Sequence, residues 1–215
     1  MDIQDENELK DIMKNVFVDK LKKPFIIEKQ FEGKEYRVFL TKEGQYAVLH
    51  RDPAHVIGDG KHTIAELIEI ENNKRELREN CLCPIAVDEI TEIYMSKNNI
   101  SMGDVPNKNE KVYLRHNSNL AKGGICVDYT NKVHKSVIEN CKKILDTFSG
   151  LPYIGIDYMS KYIEAEQTAE MYNIVEVNTI PGIHMHMRPS IGKPQNVAKY
   201  MVDMIFPETK EQENE

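Results

Sequence analysis

One strand-like segment near the C-terminus constrains the fold of this chain more than any other feature. Residues 175–178 alternate apolar and polar side chains after Ile174, and a Pro-Gly pair follows shortly after them. Side chains two residues apart on a strand point to the same face, so Glu176 and Asn178 are expected side by side. Val175 and Val177 are expected to point the other way, into a core. The pattern predicts a strand with one polar and one apolar face.

A second strand-like run, residues 154–157, ends at Asp157 and is expected to lie antiparallel beside the first. This arrangement would place another carboxylate next to Glu176 and Asn178. Two carboxylates and an amide oxygen form a hard-oxygen site suited to Mg²⁺, which prefers such ligands at roughly 2.0–2.1 Å. An ordinary strand that shows Glu and Asn to solvent is the alternative, and these residues alone leave both interpretations open.

Length and charge narrow the classes of protein to which the chain can belong. Its 215 residues suffice for one large domain or two small lobes with a real core. The formal net charge of −7 argues against nucleic acid and anionic membranes as partners. The acidic N-terminus has no apolar signal segment, and no apolar run approaches the ~20 residues that cross a bilayer. Four cysteines without CxxC spacing favour reduced thiols, so we expect a cytoplasmic protein.

The periodicity of the remaining sequence predicts an α+β fold, with antiparallel strands and helices packed on one side of the sheet. Turn residues and capping residues set the boundaries of these elements. The predicted helices cover residues 6–22, 63–70, 87–98, 133–148 and 196–205, and the predicted strands include residues 25–28, 35–40, 45–51 and 111–115.

Two further segments have the composition of ligand-binding loops. The backbone of an extended segment at residues 25–35 can recognise adenine, and Glu35 can accept hydrogen bonds from ribose hydroxyls; a plain β-hairpin is the alternative. Residues 115–124 combine Arg115 with two amides, Lys122 and a Gly-Gly pair, which together can wrap an anion. A solvated loop is the alternative for that segment.

Residues 58–63 have only a superficial likeness to a phosphate-binding P-loop, because His62 stands where a hydroxyl residue should follow Lys61. We expect a tight turn that leads into a helix. His184 and His186 form an HxH pair, but without a further ligand nearby a role as polar groups near a cleft is favoured over a metal site.

The order of these segments resembles the ATP-grasp superfamily, and within it the cyanophycin synthetases and the ATP-grasp module of bifunctional glutathione synthetases. The likeness rests on residues 49–60, the loop at 115–124, the Glu-Val-Asn segment at 176–178 and the Pro-Gly pair at 181–182. It extends over residues 25–207. Arg115 lies four residues before Asn119, which is the spacing of the cyanophycin-synthetase-like form.

The resemblance implies roles for individual residues. Asp157, Glu176 and Asn178 would hold Mg²⁺, or alternatively Mn²⁺, against the phosphates of ATP. The adenine hinge would consist of Glu28, Lys29, Gln30 and Phe31, and Glu35 would bind the ribose. The phosphates would be covered by Arg115, Asn119, Gly123 and Gly124, with Arg115 and Asn119 steadying the reacting group. Contacts with the substrate would come from Arg51, His186 and Ser190.

The resemblance also implies the chemistry of a carboxylate–amine ligase, in which ATP and a carboxylate give an acyl phosphate and an amine then forms an amide. A small amino acid or peptide is the expected carboxylate. The chain departs from the family at Ala121, Lys122, His184 and Gln195, which puts the identity of the substrate in doubt.

The upstream ATP-grasp subdomain, with its phosphate-binding Lys and Gly-rich loop, has no counterpart in this sequence. We therefore expect an N-terminal helix over 1–24, an ATP-grasp C-terminal domain over 25–207 and an acidic tail over 208–215. Either the chain is a fragment of a longer enzyme, or a homo-oligomer or a partner chain would supply the missing subdomain. The alternative is a non-catalytic remnant that binds nucleotide or a partner.

Overall fold

The computed structural model describes residue 3 and residues 5–16, 28–76 and 82–210. The chain divides into two compact units, residues 1–31 and 32–215. The N-terminal unit contains helix α1 (Glu6–Val16), whose first turn is capped by the Asp5 carboxylate through the amides of Asn7 and Glu8. The rest of the helix predicted over 6–22, and most of the strand predicted over 25–28, lie outside the described residues.

The second unit is built from seven strands and five further helices among its described residues. The strands are β1 (Lys34–Thr41), β2 (Tyr46–Asp52), β3 (His55–Ile57), β4 (Lys111–Tyr113), β5 (Ile125–Asp128), β6 (Tyr153–Ser160) and β7 (Tyr172–Asn178). The helices are α2 (Ile64–Glu76), α3 (Glu89–Lys97), α4 (Lys135–Thr147), α5 (His184–Met187) and α6 (Val197–Ile205), with short 3-10 turns at Leu120–Lys122 and Pro207–Thr209.

Five of the strands form one antiparallel sheet in the order β5-β2-β1-β6-β7, and β3 pairs with β4 in a separate ribbon. Strand β6 lies antiparallel to β7, as the sequence predicts. The α+β class with an antiparallel sheet is confirmed, but helices pack on both faces of the sheet and not on one side as predicted. The predicted helices at 63–70, 87–98, 133–148 and 196–205 correspond to α2, α3, α4 and α6.

Helix α4 covers one face of the large sheet. Its buried residues Val137, Cys141 and Leu145 recur every four positions and pack against the even-numbered side chains of β1, such as Val38 and Leu40. The packing makes this the main hydrophobic core. It leaves the odd-numbered side chains of β1 on the opposite face.

Helices α5 and α6 cover only part of that opposite face. Phe39 of β1 and Ala47 of β2 pack there against Val197, Met187 and neighbouring residues of these helices. The other end of the face, toward Glu35, is occupied by polar side chains instead.

A β-bulge corrects one prediction about β7. The pairing register with β6 shifts between Asp157 and Tyr158, so that Val175 has no partner on β6. Val177 packs against the main core, but Val175 is exposed instead of buried. Glu176 and Asn178 lie on the same side of the bulge and keep their common face.

The small ribbon β3-β4 packs against α2 and α3 around a second core that includes Val56, Ile64, Leu67 and Met95. The turn at 58–63 precedes α2, as predicted, with the Asp59 carboxylate accepting from the amides of Lys61 and His62. Within the described parts of the chain, no helix is both long and apolar enough to span a membrane.

Candidate functional site

On the face of the sheet opposite α4, the end near Glu35 carries a group of ionic and amide side chains from four neighbouring strands, which we call the charged patch. The antiparallel register places Glu35 opposite Arg51, Arg37 opposite Asp157, and Asp157 opposite Glu176. Asn178 completes the patch, two residues beyond Glu176. The members of the patch are therefore Glu35, Arg37, Arg51, Asp157, Glu176 and Asn178.

Asp157 lies at the centre of the charged patch between two guanidinium groups. Arg37 Nε is 2.6 Å from Asp157 Oδ1, and Arg51 NH2 is 3.0 Å from Asp157 Oδ2. Arg51 also forms an ion pair with Glu35. The side chains of Arg37, Arg51 and Asp157 are only 10%, 15% and 8% exposed, so these ion pairs are largely shielded from solvent.

Glu176 and Asn178 join this network from the edge strand. The Asn178 amide donates to Glu176 Oε1 at 2.9 Å, and its oxygen accepts from Arg37 NH1 at 3.1 Å. Arg37 therefore bridges the edge strand and Asp157.

Gly155 makes room for this arrangement. A Cβ atom at Gly155 would lie 2.5 Å from Pro181 Cβ and 3.2 Å from Arg37 NH1. The absence of a side chain thus allows the Pro-Gly turn after β7 and the Arg37 guanidinium to meet over β6. This packing explains why the sequence places Gly two residues before Asp157.

The predicted metal ligands Asp157, Glu176 and Asn178 are brought together on one face, as the strand periodicity predicts. Their oxygen donors suit a hard divalent cation. Asp157 Oδ1 is buried beside Arg37 Nε without a well-aligned hydrogen bond to any described residue, and a carboxylate oxygen can accept from more than one partner. Among the described residues no cluster of three or more His, Cys, Asp or Glu side chains could hold a metal alone, so a cation here would also need the amide oxygen, water or a phosphate.

The loop at 115–124 reaches the charged patch through Ser118, whose hydroxyl donates to the Glu35 carboxylate. Arg115, in contrast, is 2% exposed and points toward α3. Its NH2 group lies 2.7 Å from Asp88 Oδ1 and 2.8 Å from Thr91 Oγ1. A role for Arg115 over phosphates stays a prediction that requires these contacts to be exchanged.

The Gly-Gly end of the same loop forms a closed turn. Asn119 Oδ1 accepts from the Ala121 amide at 3.0 Å, and the Gly123 and Gly124 amides donate to the carbonyls of Leu120 and Asn119. Gly123 has φ +98°, and a Cβ there would lie 2.5 Å from Ile85 Cα. The conformation requires glycine, and it directs these amides to the loop itself, so anion binding by the loop also stays a prediction.

The three predicted substrate residues have different surroundings. Arg51 belongs to the charged patch, whereas Ser190 is tied to β5, where its hydroxyl accepts from the Cys126 amide at 3.0 Å. His186 is 1% exposed, and its ring lies 6.1 Å from that of Phe39. Burial, assisted by the nearby charge of Arg37, lowers the His186 pKa to about 3, so this imidazole is neutral.

The predicted adenine hinge lies in the N-terminal unit. Glu28, Lys29, Gln30 and Phe31 have no regular secondary structure there. Their contacts with a nucleotide stay a prediction.

Arg37 is the member of the charged patch that was not predicted from the sequence. The signal was available, because Arg37 follows Glu35 by two residues on a predicted strand and must share its face. Its pairing with Asp157 depends on the register between β1 and β6, which the sequence alone does not reveal.

A second polar cluster lies on the opposite face of β2, around the buried carboxylate of Asp52. Lys111 Nζ lies 2.7 Å from Asp52 Oδ2, and the Tyr113 hydroxyl donates to Oδ1 at 3.1 Å. His50 Nε2 and His55 Nδ1 lie 3.7 and 3.8 Å from the same carboxylate. Burial lowers the pKa of both histidines, to about 4 for His50, and outweighs the attraction of Asp52.

A cavity of about 310 Å³ lies apart from the charged patch. It is lined by residues of β3 and α2, among them His55 and Arg75, and by Ile125, Ser190 and Ile191. None of the predicted metal ligands lines it. Arg75 is committed to structural contacts, because its NH1 donates to the carbonyls of Cys83 and Gly123.

Comparisons with known proteins match most of this chain to part of larger proteins. No family model matches it. It is 36% identical over 185 residues to the glutathione biosynthesis bifunctional protein GshAB of Clostridium perfringens, a match that covers 84% of this chain and 24% of that protein. It is 38% identical over 185 residues to the cyanophycin synthetase of Synechocystis sp., covering 85% of this chain and 21% of that protein.

The fold leads to the same group of proteins. A bifunctional glutathione synthetase from Pasteurella multocida superposes with a TM-score of 0.71 and 32% sequence identity, over 84% of this chain and 25% of that chain. The chain thus spans about a quarter of the length of these relatives. By sequence and by fold, the chain belongs to the ATP-grasp superfamily, as a homologue of one part of the cyanophycin synthetases and bifunctional glutathione synthetases.

Proposed function

We propose that this chain is the ATP- and Mg²⁺-binding part of a ligase that joins a carboxylate to an amine through an acyl phosphate. The observation that carries the proposal is the charged patch, in which two carboxylates and an amide of β6 and β7 lie beside two guanidinium groups. The homology to ATP-grasp ligases supports it.

The residues that would hold the metal are Asp157, Glu176 and Asn178. Mg²⁺ bound there would neutralise charge on the phosphates and orient them. The chain itself contributes a rigid frame, because the three residues lie on two paired strands and Asp157 is buried.

Arg37 and Arg51 are the groups of the patch that suit phosphate oxygens. A guanidinium binds phosphate through two parallel hydrogen bonds, and its charge is strengthened where water is excluded. Both arginines are held by neighbouring carboxylates and are therefore pre-oriented. In the proposed reaction they would stabilise the charge that develops as the phosphoryl group moves to the carboxylate substrate.

The remaining contacts complete the proposal. Glu28 to Phe31 would contact adenine, Glu35 the ribose, and the loop at 115–124 the phosphates, with Arg115 and Asn119 exchanging their present partners. An amino acid or a small peptide would supply the carboxylate. Because the chain spans about a quarter of its relatives, we propose that catalysis uses further ATP-grasp elements, supplied by a longer parent, a partner chain or a second copy.

A non-catalytic nucleotide-binding role is the second candidate. The observation that favours it is the closed turn at the end of the 115–124 loop, in which Asn119 and the two glycine amides are satisfied within the loop. Release of ADP in the presence of amino acids or peptides would distinguish the ligase from this alternative.

The first test of the proposal is a calorimetric titration of ATP into the chain, with Mg²⁺ and then with EDTA. We expect binding that depends on Mg²⁺ and that weakens at least about tenfold in Glu176→Gln and Asp157→Asn. Glu170→Gln, a charge-matched change at an exposed residue before β7, should leave the affinity unchanged. Equal affinity of all four proteins would contradict the assignment of the site.

A further inference from the structure

The charged patch already contains cations where the proposed function requires a metal. Both oxygens of the Asp157 carboxylate face guanidinium nitrogens, Arg37 Nε at 2.6 Å and Arg51 NH2 at 3.0 Å. Mg²⁺ would bind the same carboxylate at roughly 2 Å and would therefore lie within a few ångströms of both groups. The guanidinium groups thus compete with the metal for Asp157.

Burial and further contacts favour the two arginines over the metal in this competition. The guanidinium groups are mostly buried, so water screens them little from a nearby cation. Arg37 is also held by the Asn178 oxygen at 3.1 Å, and Arg51 by Glu35. Two of the three predicted metal ligands, Asp157 and Asn178, are thus engaged by arginine in the free chain.

A phosphate group removes this conflict. It offers each guanidinium oxygen acceptors that replace the carboxylate, and it brings negative charge that offsets the added metal. Arg51 Nε is buried without a well-aligned hydrogen bond to any described residue, so this guanidinium keeps a donor for such a ligand.

We propose that Arg37 and Arg51 hold Asp157 ion-paired until phosphates bind, so that the site accepts a divalent metal only together with a polyphosphate. This inference rests on the proposed function, to which it adds the exclusion of the metal by the two arginines and the order of binding. The arginines exclude the metal from the free chain and then position the phosphates.

The test measures the two ligands separately on the full chain. Mn²⁺ alone is titrated and followed by the electron paramagnetic resonance signal of the free ion, and inorganic tripolyphosphate is titrated by calorimetry in EDTA. For Arg51→Gln we expect Mn²⁺ to bind at least tenfold more tightly than to the wild type, and tripolyphosphate at least tenfold more weakly. A merely structural role for Arg51 would weaken both.

Lys210→Gln is the matched control. It removes one positive charge from an ion pair with Glu43, at the opposite end of the β1-β2 hairpin. We expect less than a twofold change in either affinity. An equal gain in Mn²⁺ affinity in this variant would ascribe the effect to net charge and overturn the proposal.

The wild-type protein provides a test that does not depend on the folding of a variant. In ¹⁵N spectra, the Nε–H signals of Arg37 and Arg51 should shift when tripolyphosphate is added without metal. Unchanged signals, or Arg51→Gln binding Mn²⁺ no better than the wild type, would overturn the proposal. None of these measurements uses a nucleotide or depends on turnover. A failure of the chain to bind ATP would therefore refute the proposed function, while the behaviour of Mn²⁺ and tripolyphosphate would still test the role of the two arginines.

Discussion

At the scale of single residues, His186 shows how strongly the fold shifts the properties of one side chain. It lies in α5, which follows the Pro-Gly turn. Its imidazole lies against Phe39 on the face of the sheet opposite α4. Neither ring nitrogen makes a hydrogen bond to a described residue. The protonated form is therefore unstable in the folded chain, and the pKa falls to about 3.

This shift makes folding stability depend on pH. Because the pKa of His186 is lower in the folded chain than its ordinary value near 6.5, protons bind preferentially to the unfolded chain. Stability is then complete above the unfolded pKa and is lost as the pH falls below it. His50, with a pKa of about 4, acts in the same direction.

The free energy of unfolding of the wild type is expected to fall between pH 7 and pH 5. We predict that His186→Leu loses about 2 kcal/mol less than the wild type over the same range. The measurement is urea unfolding at the two pH values, in the wild type and the variant. The wild type keeps its full pH dependence, and the variant keeps only the part that His50 and the other groups contribute. The same pH dependence in both proteins would show that His186 is not buried as described.

At the scale of elements, the start of α2 is fixed by a reciprocal cap. The Thr63 amide donates to Glu66 Oε2 at 2.8 Å, and the Glu66 amide donates to Thr63 Oγ1 at 3.3 Å. These bonds satisfy donors that would otherwise lack partners at the N-terminus of the helix. Helix α2 supports the ribbon β3-β4 through Ile64 and Leu67.

We predict that Thr63→Ala lowers the free energy of unfolding by about 1 kcal/mol, since it removes the hydroxyl acceptor. Thr63→Ser keeps that acceptor and should cost at most a few tenths of a kcal/mol. Chemical unfolding of the three proteins at neutral pH provides the comparison. A loss in the serine variant as large as that in the alanine variant would argue against the cap.

Elements with strong local signals could be predicted from the sequence. Helices were predicted over residues 63–70, 87–98 and 196–205, and in the structure Thr63, Asp88 and Asn196 cap the starts of α2, α3 and α6. Strand β5 was missed because it is held by tertiary pairing with β2 and by a bridge to Ile191. The bulge at Val175 was missed because it depends on the register between two strands.

The residues of the candidate site also differ in whether they could be predicted from the local sequence. Alternation along one strand predicts that Glu176 and Asn178 share a face, and similarity of pattern adds Asp157. The partners of these residues come from β1 and β2, more than 100 positions earlier in the chain, and only the assembled sheet brings Arg37 and Arg51 to Asp157. Long-range ion pairs of this kind leave no local trace in the sequence.

At the scale of the whole molecule, the acidic chain brings two arginines together in a patch that also holds three carboxylates. The chain carries a formal net charge of −7, yet the charged patch places two arginines within hydrogen-bond distance of one carboxylate. An acidic protein can attract polyphosphate only through such a local arrangement of cations and metal. The central claim is therefore that phosphates and metal meet at this patch.

Paramagnetic broadening by Mn²⁺ in the presence of ATP tests that claim most directly. We predict that the amide signals around Arg37, Asp157 and Glu176 broaden, because broadening depends steeply on distance from the ion. The amides of the β3-β4 ribbon should keep their intensity. Broadening centred on the Asp52 cluster, or equal broadening along the whole chain, would contradict the account.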